Sequence, residues 1–201
     1  MNFAGMRITV YLGSNPGKDP AYARAVEELG AWIGEQGMDL VYGGSRVGLM
    51  GILAEAVLRS GGKVIGVEPR FFVESAMQHE GITELIVTET MAERKTRMME
   101  LGDAYLAFPG GTGTLEEISE IMSHNSIGLI RKPCILYNLR GYYNGLRDQL
   151  DHMKREGFLL PENRDKVHFA EDLEEIASIL RLTGFHTGTG GRLTPSSQTE
   201  R

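Results

Sequence analysis

The stretch AYLAFPGGTGTLEE, residues 104–117, sets an apolar run against three glycines and two threonines, then opens a helical pattern with two glutamates. A short apolar run that breaks at Pro109-Gly110 and passes into a helix is one βα unit of a parallel sheet. The two carboxylates raise the question of what the turn is for. Negative charge suits the start of any helix, so Glu116 and Glu117 read as helix starters. A glycine-rich strand-to-helix turn equally cradles a phosphate, which would compete with those carboxylates for the same backbone N–H groups.

The alternation extends outward in both directions. RITVYLG (7–13), DLVYGG (39–44), KVIGVEP (63–69), ELIVTE (84–89), AYLAFPG (104–110) and PCILYN (133–138) read as strands, with KVHFA (166–170) as an edge strand. Helices are expected over 20–36, 48–60, 91–101, 114–127, 142–156 and 171–181, the first with Ala25, Leu29, Trp32 and Ile33 on one face. Residues 71–81 carry no clear pattern. The expected fold class is therefore α/β: a doubly wound parallel sheet flanked by helices, in a single domain over residues 1–182. Residues 183–201, TGFHTGTGGRLTPSSQTER, are too polar to offset their ordering entropy and are expected to form a disordered tail.

Composition narrows the function classes. The chain of 201 residues has a net charge of −6 and no basic block, which argues against nucleic acid as a partner. No stretch reaches the roughly 20 apolar residues of a membrane helix, so a cytoplasmic protein with no membrane partner is expected. The single cysteine, Cys134, lies in an apolar run and reads as a buried strand residue. The five histidines show neither an i, i+4 pair nor a cysteine at zinc spacing, so no metal site is expected.

Three glycine clusters fall at the carboxyl ends of expected strands, where open α/β sheets bind ligands: YLGSNPG (11–17), VYGGSRVGLMG (41–51) and PGGTGT (109–114). None fits a familiar nucleotide motif. GSNPGK has three residues between its glycines where a P-loop has four, and Asp19 follows its lysine. The first strand turn lacks G-x-G-x-x-G, and the second strand ends in Tyr42-Gly43-Gly44 where an NAD enzyme carries an acidic residue. There is no G-x-S-x-G elbow. What remains is a phosphate-binding loop followed by carboxylates, and a helix carrying Arg94, Lys95 and Arg97 whose plainest reading is a solvated face.

PGGTGTLEE fits P-G-G-x-G-T-x-x-E, and with it the chain resembles the Lonely Guy family of cytokinin riboside 5′-monophosphate phosphoribohydrolases, often labelled lysine decarboxylases. YLGSNPG is similar to the family's first loop and VYGGSRVGLMG to its second glycine cluster. ERK with Met98 is similar to its R-K-x-x-M helix, and KPCILYNLRGYYNGL to its K-P-x-x-L-x-N-x-x-G-Y-Y-x-x-L segment. The resemblance covers about residues 6–180. It implies a Rossmann-like homodimer that hydrolyses the N-glycosidic bond of a nucleoside 5′-monophosphate, releasing base and ribose 5-phosphate without a metal or cofactor.

Carried over residue by residue, it implies Arg94 and Glu117 as the catalytic pair and Gly110, Gly111, Thr112, Gly113 and Thr114 as the phosphate loop. Ser14, Gly43, Gly44, Lys95, Met98 and Glu116 are expected to line the substrate. Arg94 would hold phosphate or ribose oxygens or assist departure of the base. A carboxylate near the anomeric carbon would stabilise an oxocarbenium-like transition state or take a proton from water. Thr114-Leu115-Glu116-Glu117 also spells a capping box, a rival structural role for Glu117.

The chain departs from the family pattern at Ala92, where a histidine is usual, and at His124, Ser126 and Arg131 within HNSIGLIRKP. These departures bear on base preference or the dimer surface. Met98, Met99 and Met122 suit a helix interface as well as a core. On the same fold, a non-catalytic carrier of a nucleotide or of the molybdenum cofactor is the alternative. An amino acid decarboxylase would need pyridoxal phosphate on a lysine, and no lysine stands in an identifiable cofactor context.

Overall fold

The computed structural model describes residues 3–73 and 78–183. Seven parallel strands form one sheet: β1 (Arg7–Tyr11), β2 (Asp39–Tyr42), β3 (Val64–Pro69), β4 (Glu84–Thr88), β5 (Ala104–Ala107), β6 (Cys134–Tyr137) and β7 (Val167–Ala170), in the order β4-β3-β2-β1-β5-β6-β7. The helices are α1 (Pro20–Glu35), α2 (Gly48–Arg59), α3 (Arg70–Val73), α4 (Met91–Leu101), α5 (Thr112–Ser126), α6 (Asn144–Arg155), α7 (Pro161–Arg164) and α8 (Leu173–Leu182), with a 3-10 turn at Leu139–Gly141. The expected doubly wound α/β fold is what forms, and KVHFA supplies the edge strand β7. The unpatterned segment 71–81 contains the end of α3 and an antiparallel bridge between Gln78 and Ser45. Of the expected tail, Thr183 caps α8 and residues 184–201 lie outside the described residues.

Period-two alternation divides the core between the two faces of the sheet. Ile8, Val10, Leu40, Tyr42, Leu106 and Ile135 face one layer with residues of α1, α2 and α8. Tyr11, Val41, Tyr105, Leu136 and Cys134 face the other with α4, α5 and α6. Cys134 is fully buried there, and burial pushes its thiol up to about 12, so it is inert. Close approach of α1 to α2 depends on Gly30, where a Cβ would lie 2.6 Å from Ala56 Cβ and 2.7 Å from Leu53 O.

β1 and β5 are neighbours, yet the chain proceeds from β1 toward β4 on one side and from β5 toward β7 on the other. The loops that leave their carboxyl ends therefore diverge and open a crevice, the topological switch point of an open α/β sheet.

Candidate active site

The crevice holds a cavity of about 460 Å³, whose lining includes Gly13, Ser14, Asn15, Tyr22, Met50, Phe72, Met91, Arg94, Glu116, Glu117 and Tyr142 with the whole stretch 109–114. Its floor is made by glycines. A Cβ on Gly110 would lie 2.7 Å from Gly13 N and 2.2 Å from Thr114 Oγ1, so the two loops meet only because that side chain is missing. The tyrosines of the 3-10 corner hold the loop from above: Tyr142 Oη donates to Gly110 O and Tyr143 Oη to Phe108 O, the latter at 2.8 Å.

α5 starts two residues before the expected position, with Gly111 as an N-cap that offers no side chain and with no acidic residue in its first turn. The amides of Thr112, Gly113 and Thr114 have no helical acceptor, and all three residues line the cavity. Glu116 and Glu117 fall in the second turn, so they do not compete with an anion for those amides. The turn therefore keeps its N–H groups free of the carboxylates. The expected capping box at Thr114 does not form. Thr114 lies inside the helix and is buried, and Glu117 turns to Arg94 instead. A related arrangement appears at α4, where the N-cap Thr90 Oγ1 accepts from Glu93 N and the Glu93 carboxylate accepts from Glu89 N, one residue before the cap.

The three cations of α4 meet different fates. Arg94 is 7% exposed; its Nε donates to Val67 O at 3.0 Å and its Nη1 to Glu117 Oε1 at 2.7 Å. Lys95 Nζ reaches α5, 2.8 Å from Glu116 Oε1 and 3.2 Å from Glu120 Oε2. Arg97 is exposed and pairs with Glu100. Only Arg97 fits a solvated face. Burial raises the Glu117 carboxyl above the ordinary carboxylate range, and the Arg94 charge and hydrogen bond pull it back only in part.

Not all of the residues expected at the site line it. Ser14, Glu116, Glu117, Arg94 and the loop 110–114 converge on the cavity, whereas Gly43, Gly44, Lys95 and Met98 stand behind it. Gly43 makes space for Arg94, since a Cβ there would lie 2.5 Å from Arg94 Nη2. Gly44 adopts φ +88° against Glu68. Lys95 ties α4 to α5. Met98 and Met99 belong to the core, because the apolar side of α4 faces the sheet. The sequence reading singled out neither Glu68, the one buried charged residue of the strands among the described residues, nor the apolar wall of Met50, Phe72 and Met91. A glutamate in the otherwise apolar VIGVEP was the available signal for the first; the wall is assembled from three separate helices and left none.

The chain is similar to known proteins in sequence and fold. A family model described as possible lysine decarboxylase matches residues 50–180. A cytokinin riboside 5′-monophosphate phosphoribohydrolase of Rhodococcoides fascians is 44% identical over 177 residues, covering 87% of this chain and 88% of that protein. One from Arabidopsis thaliana is 41% identical over 170 residues, 85% of this chain and 78% of the relative. The chain belongs to the cytokinin riboside 5′-monophosphate phosphoribohydrolase family. Solved structures of the molybdenum cofactor carrier protein from Chlamydomonas reinhardtii and the molybdenum cofactor binding protein from Rippkaea orientalis share the fold at TM-score 0.65 and 22% identity. They span 89% and 88% of this chain, and 97% and 96% of their own. Among the described residues, no helix is long and apolar enough to cross a membrane.

Proposed function

We propose that this protein hydrolyses the N-glycosidic bond of a nucleoside 5′-monophosphate to free base and ribose 5-phosphate, with Arg94 and Glu117 as catalytic residues. The observation that carries this reading is the ion pair of Arg94 and Glu117 at the wall of a cavity whose other end is an uncapped helix N-terminus. The 5′-phosphate rests on the amides of 112–114. Glu117 lies five residues along α5, about 7.5 Å at 1.5 Å per residue, the span of one ribose. As the C1′–N bond lengthens, its electron pair leaves with the base, which takes up a proton from solvent. Water adds to C1′ and gives its proton to Glu117, whose charge also faces the oxocarbenium-like sugar. Arg94 holds Glu117 in place and offers its remaining donors to ribose or phosphate oxygens. The base lies toward Met50, Phe72 and Met91, an apolar wall suited to a purine or an N6-substituted purine.

The reading is tested by incubation with a panel of nucleoside 5′-monophosphates, followed by chromatography for free base and ribose 5-phosphate. Cleavage of AMP or an N6-substituted AMP, unaffected by EDTA, is the expected result. Tight binding without turnover would instead make the protein a carrier.

Gly43→Ala probes the role of Arg94 indirectly. The added methyl displaces the guanidinium by roughly an ångström, and kcat should fall about 10-fold or more with the fold intact, because catalysis depends on sub-ångström placement. Unchanged kcat would mean that the observed position of Arg94 is immaterial.

The protein acts as a cytoplasmic homodimer in this reading. With Met98 and Met99 taken by the core, support comes from Met91 at the start of α4 and Leu115 in the first turn of α5, which are 39% and 43% exposed. Light scattering should report a dimer or a multiple of it at neutral pH; a fully active monomer at nanomolar concentration would refute the assembly.

A further inference from the structure

Three buried polar atoms of the described residues lack any hydrogen-bond partner: Tyr42 Oη, Glu68 Oε2 and Gln78 Oε1. Such atoms are rare in native proteins and often mark an ion or a water. All three belong to residues that border the second glycine loop. Tyr42 ends β2 just before it, and Ser45 pairs with Gln78 just after it. His79 N donates to Gly44 O at 3.0 Å, and a Cβ on Gly44 would lie 2.9 Å from Glu68 Cβ and 3.3 Å from Glu68 Oε2. The Glu68 charge reaches the Tyr42 phenol, which it raises further after burial has done so.

Charge does not balance at this point of the fold. Glu68 is 2% exposed and enters no ion pair among the described residues. Arg94 attracts it, but the guanidinium is engaged by Val67 O and Glu117 and borders Gly43, whereas Glu68 borders Gly44. A Cβ on Gly43 would meet Arg94 Nη2 at 2.5 Å and one on Gly44 would meet Glu68 Cβ at 2.9 Å, so the glycine pair stands between the two side chains. Glu117 thus takes the guanidinium, and Glu68 is left without an ion-pair partner among the described residues. The three oxygens make no hydrogen bond to one another although the Tyr42 hydroxyl could donate, so a proton on Glu68 would cancel the surplus charge without joining them. A water would satisfy all three and leave the charge.

We propose that Glu68, Gln78 and Tyr42 form a site for a monovalent cation, sodium or potassium, which fastens the chain at 78–79 to the glycine loop beside Arg94. One carboxylate with two neutral oxygens matches a single positive charge, whereas calcium sites assemble more oxygens and more charge. A bound cation also meets the rule that a buried charge is paired or coordinates a metal.

Thermal unfolding in potassium, sodium or choline chloride at one ionic strength tests the site. The midpoint should rise saturably, by about 3 °C or more, when either metal ion replaces choline. Glu68→Gln keeps the shape and should abolish the response. Should that variant fail to fold, Tyr42→Phe removes one ligand oxygen and should raise the half-saturating concentration about 10-fold. Rubidium located by anomalous scattering between the three side chains would support the proposal directly. Equal midpoints in all three salts, or a response that survives in Glu68→Gln, would overturn it. So would an infrared band of a protonated carboxyl lost in Glu68→Gln in the presence of potassium, since a proton would then hold the place of the cation.

Discussion

Glu117→Gln is expected to lower kcat by at least about 10³ while leaving the melting temperature within a few degrees of wild type. Glutamine keeps the shape of glutamate and still accepts from Arg94 Nη1, but it takes no proton and opposes no developing positive charge. The small stability effect follows from the balance at this site. Burial outweighs the attraction of Arg94, so the ionised carboxylate is held there at a net cost, and a neutral amide relieves it. The same balance has a signature in pH. Glu117 works ionised and its pKa is raised, so kcat/KM should fall as pH drops through a midpoint above the ordinary carboxylate value. That acid limb should vanish from the residual activity of the variant. Near-normal turnover by Glu117→Gln would show that the ion pair is structural and that the catalytic carboxylate lies elsewhere.

AMP is expected to be cleaved at least about 100-fold better than adenosine by kcat/KM, a difference of about 2.7 kcal/mol in transition-state binding. The 5′-phosphate is remote from the bond that breaks. Its interaction with the free amides of 112–114 fixes the distance from the helix terminus to the anomeric carbon, and this positioning lowers the barrier. The effect should therefore appear in kcat as well as in KM. Equal cleavage of the nucleoside would remove the phosphate loop from the mechanism and leave Gly110 with a packing role alone.

How much of this was legible beforehand differs by element. The seven strands could be placed because each is short, apolar and bounded by glycine, proline or a polar residue, and the alternating helices then required a parallel sheet. The stretch 104–117 identified the ligand-binding turn, since the glycines, the following helix and the carboxylates lie within one local unit. Boundaries were less secure. α5 begins at Thr112 and not at Thr114, because the cap is chosen by the contact of Gly110 with Gly13, nearly a hundred residues away in sequence, and local propensity contains no trace of it.

Local sequence determined the strands, the helices and the chemistry available at each loop, because hydrophobic periodicity and glycine content are properties of a few consecutive residues. Tertiary structure decided the rest. It chose between a cap and an ion pair for Glu117 by carrying Arg94 from α4 into reach of α5. It turned Gly43 from a lining residue into the space that guanidinium occupies, and sent Lys95 to Glu116 and Glu120. It also enclosed Glu68 beside Tyr42 and Gln78, in a strand whose composition promised only core. These outcomes depend on which faces of distant elements meet across the sheet, and only the packed sheet, with its crevice between β1 and β5, specifies that.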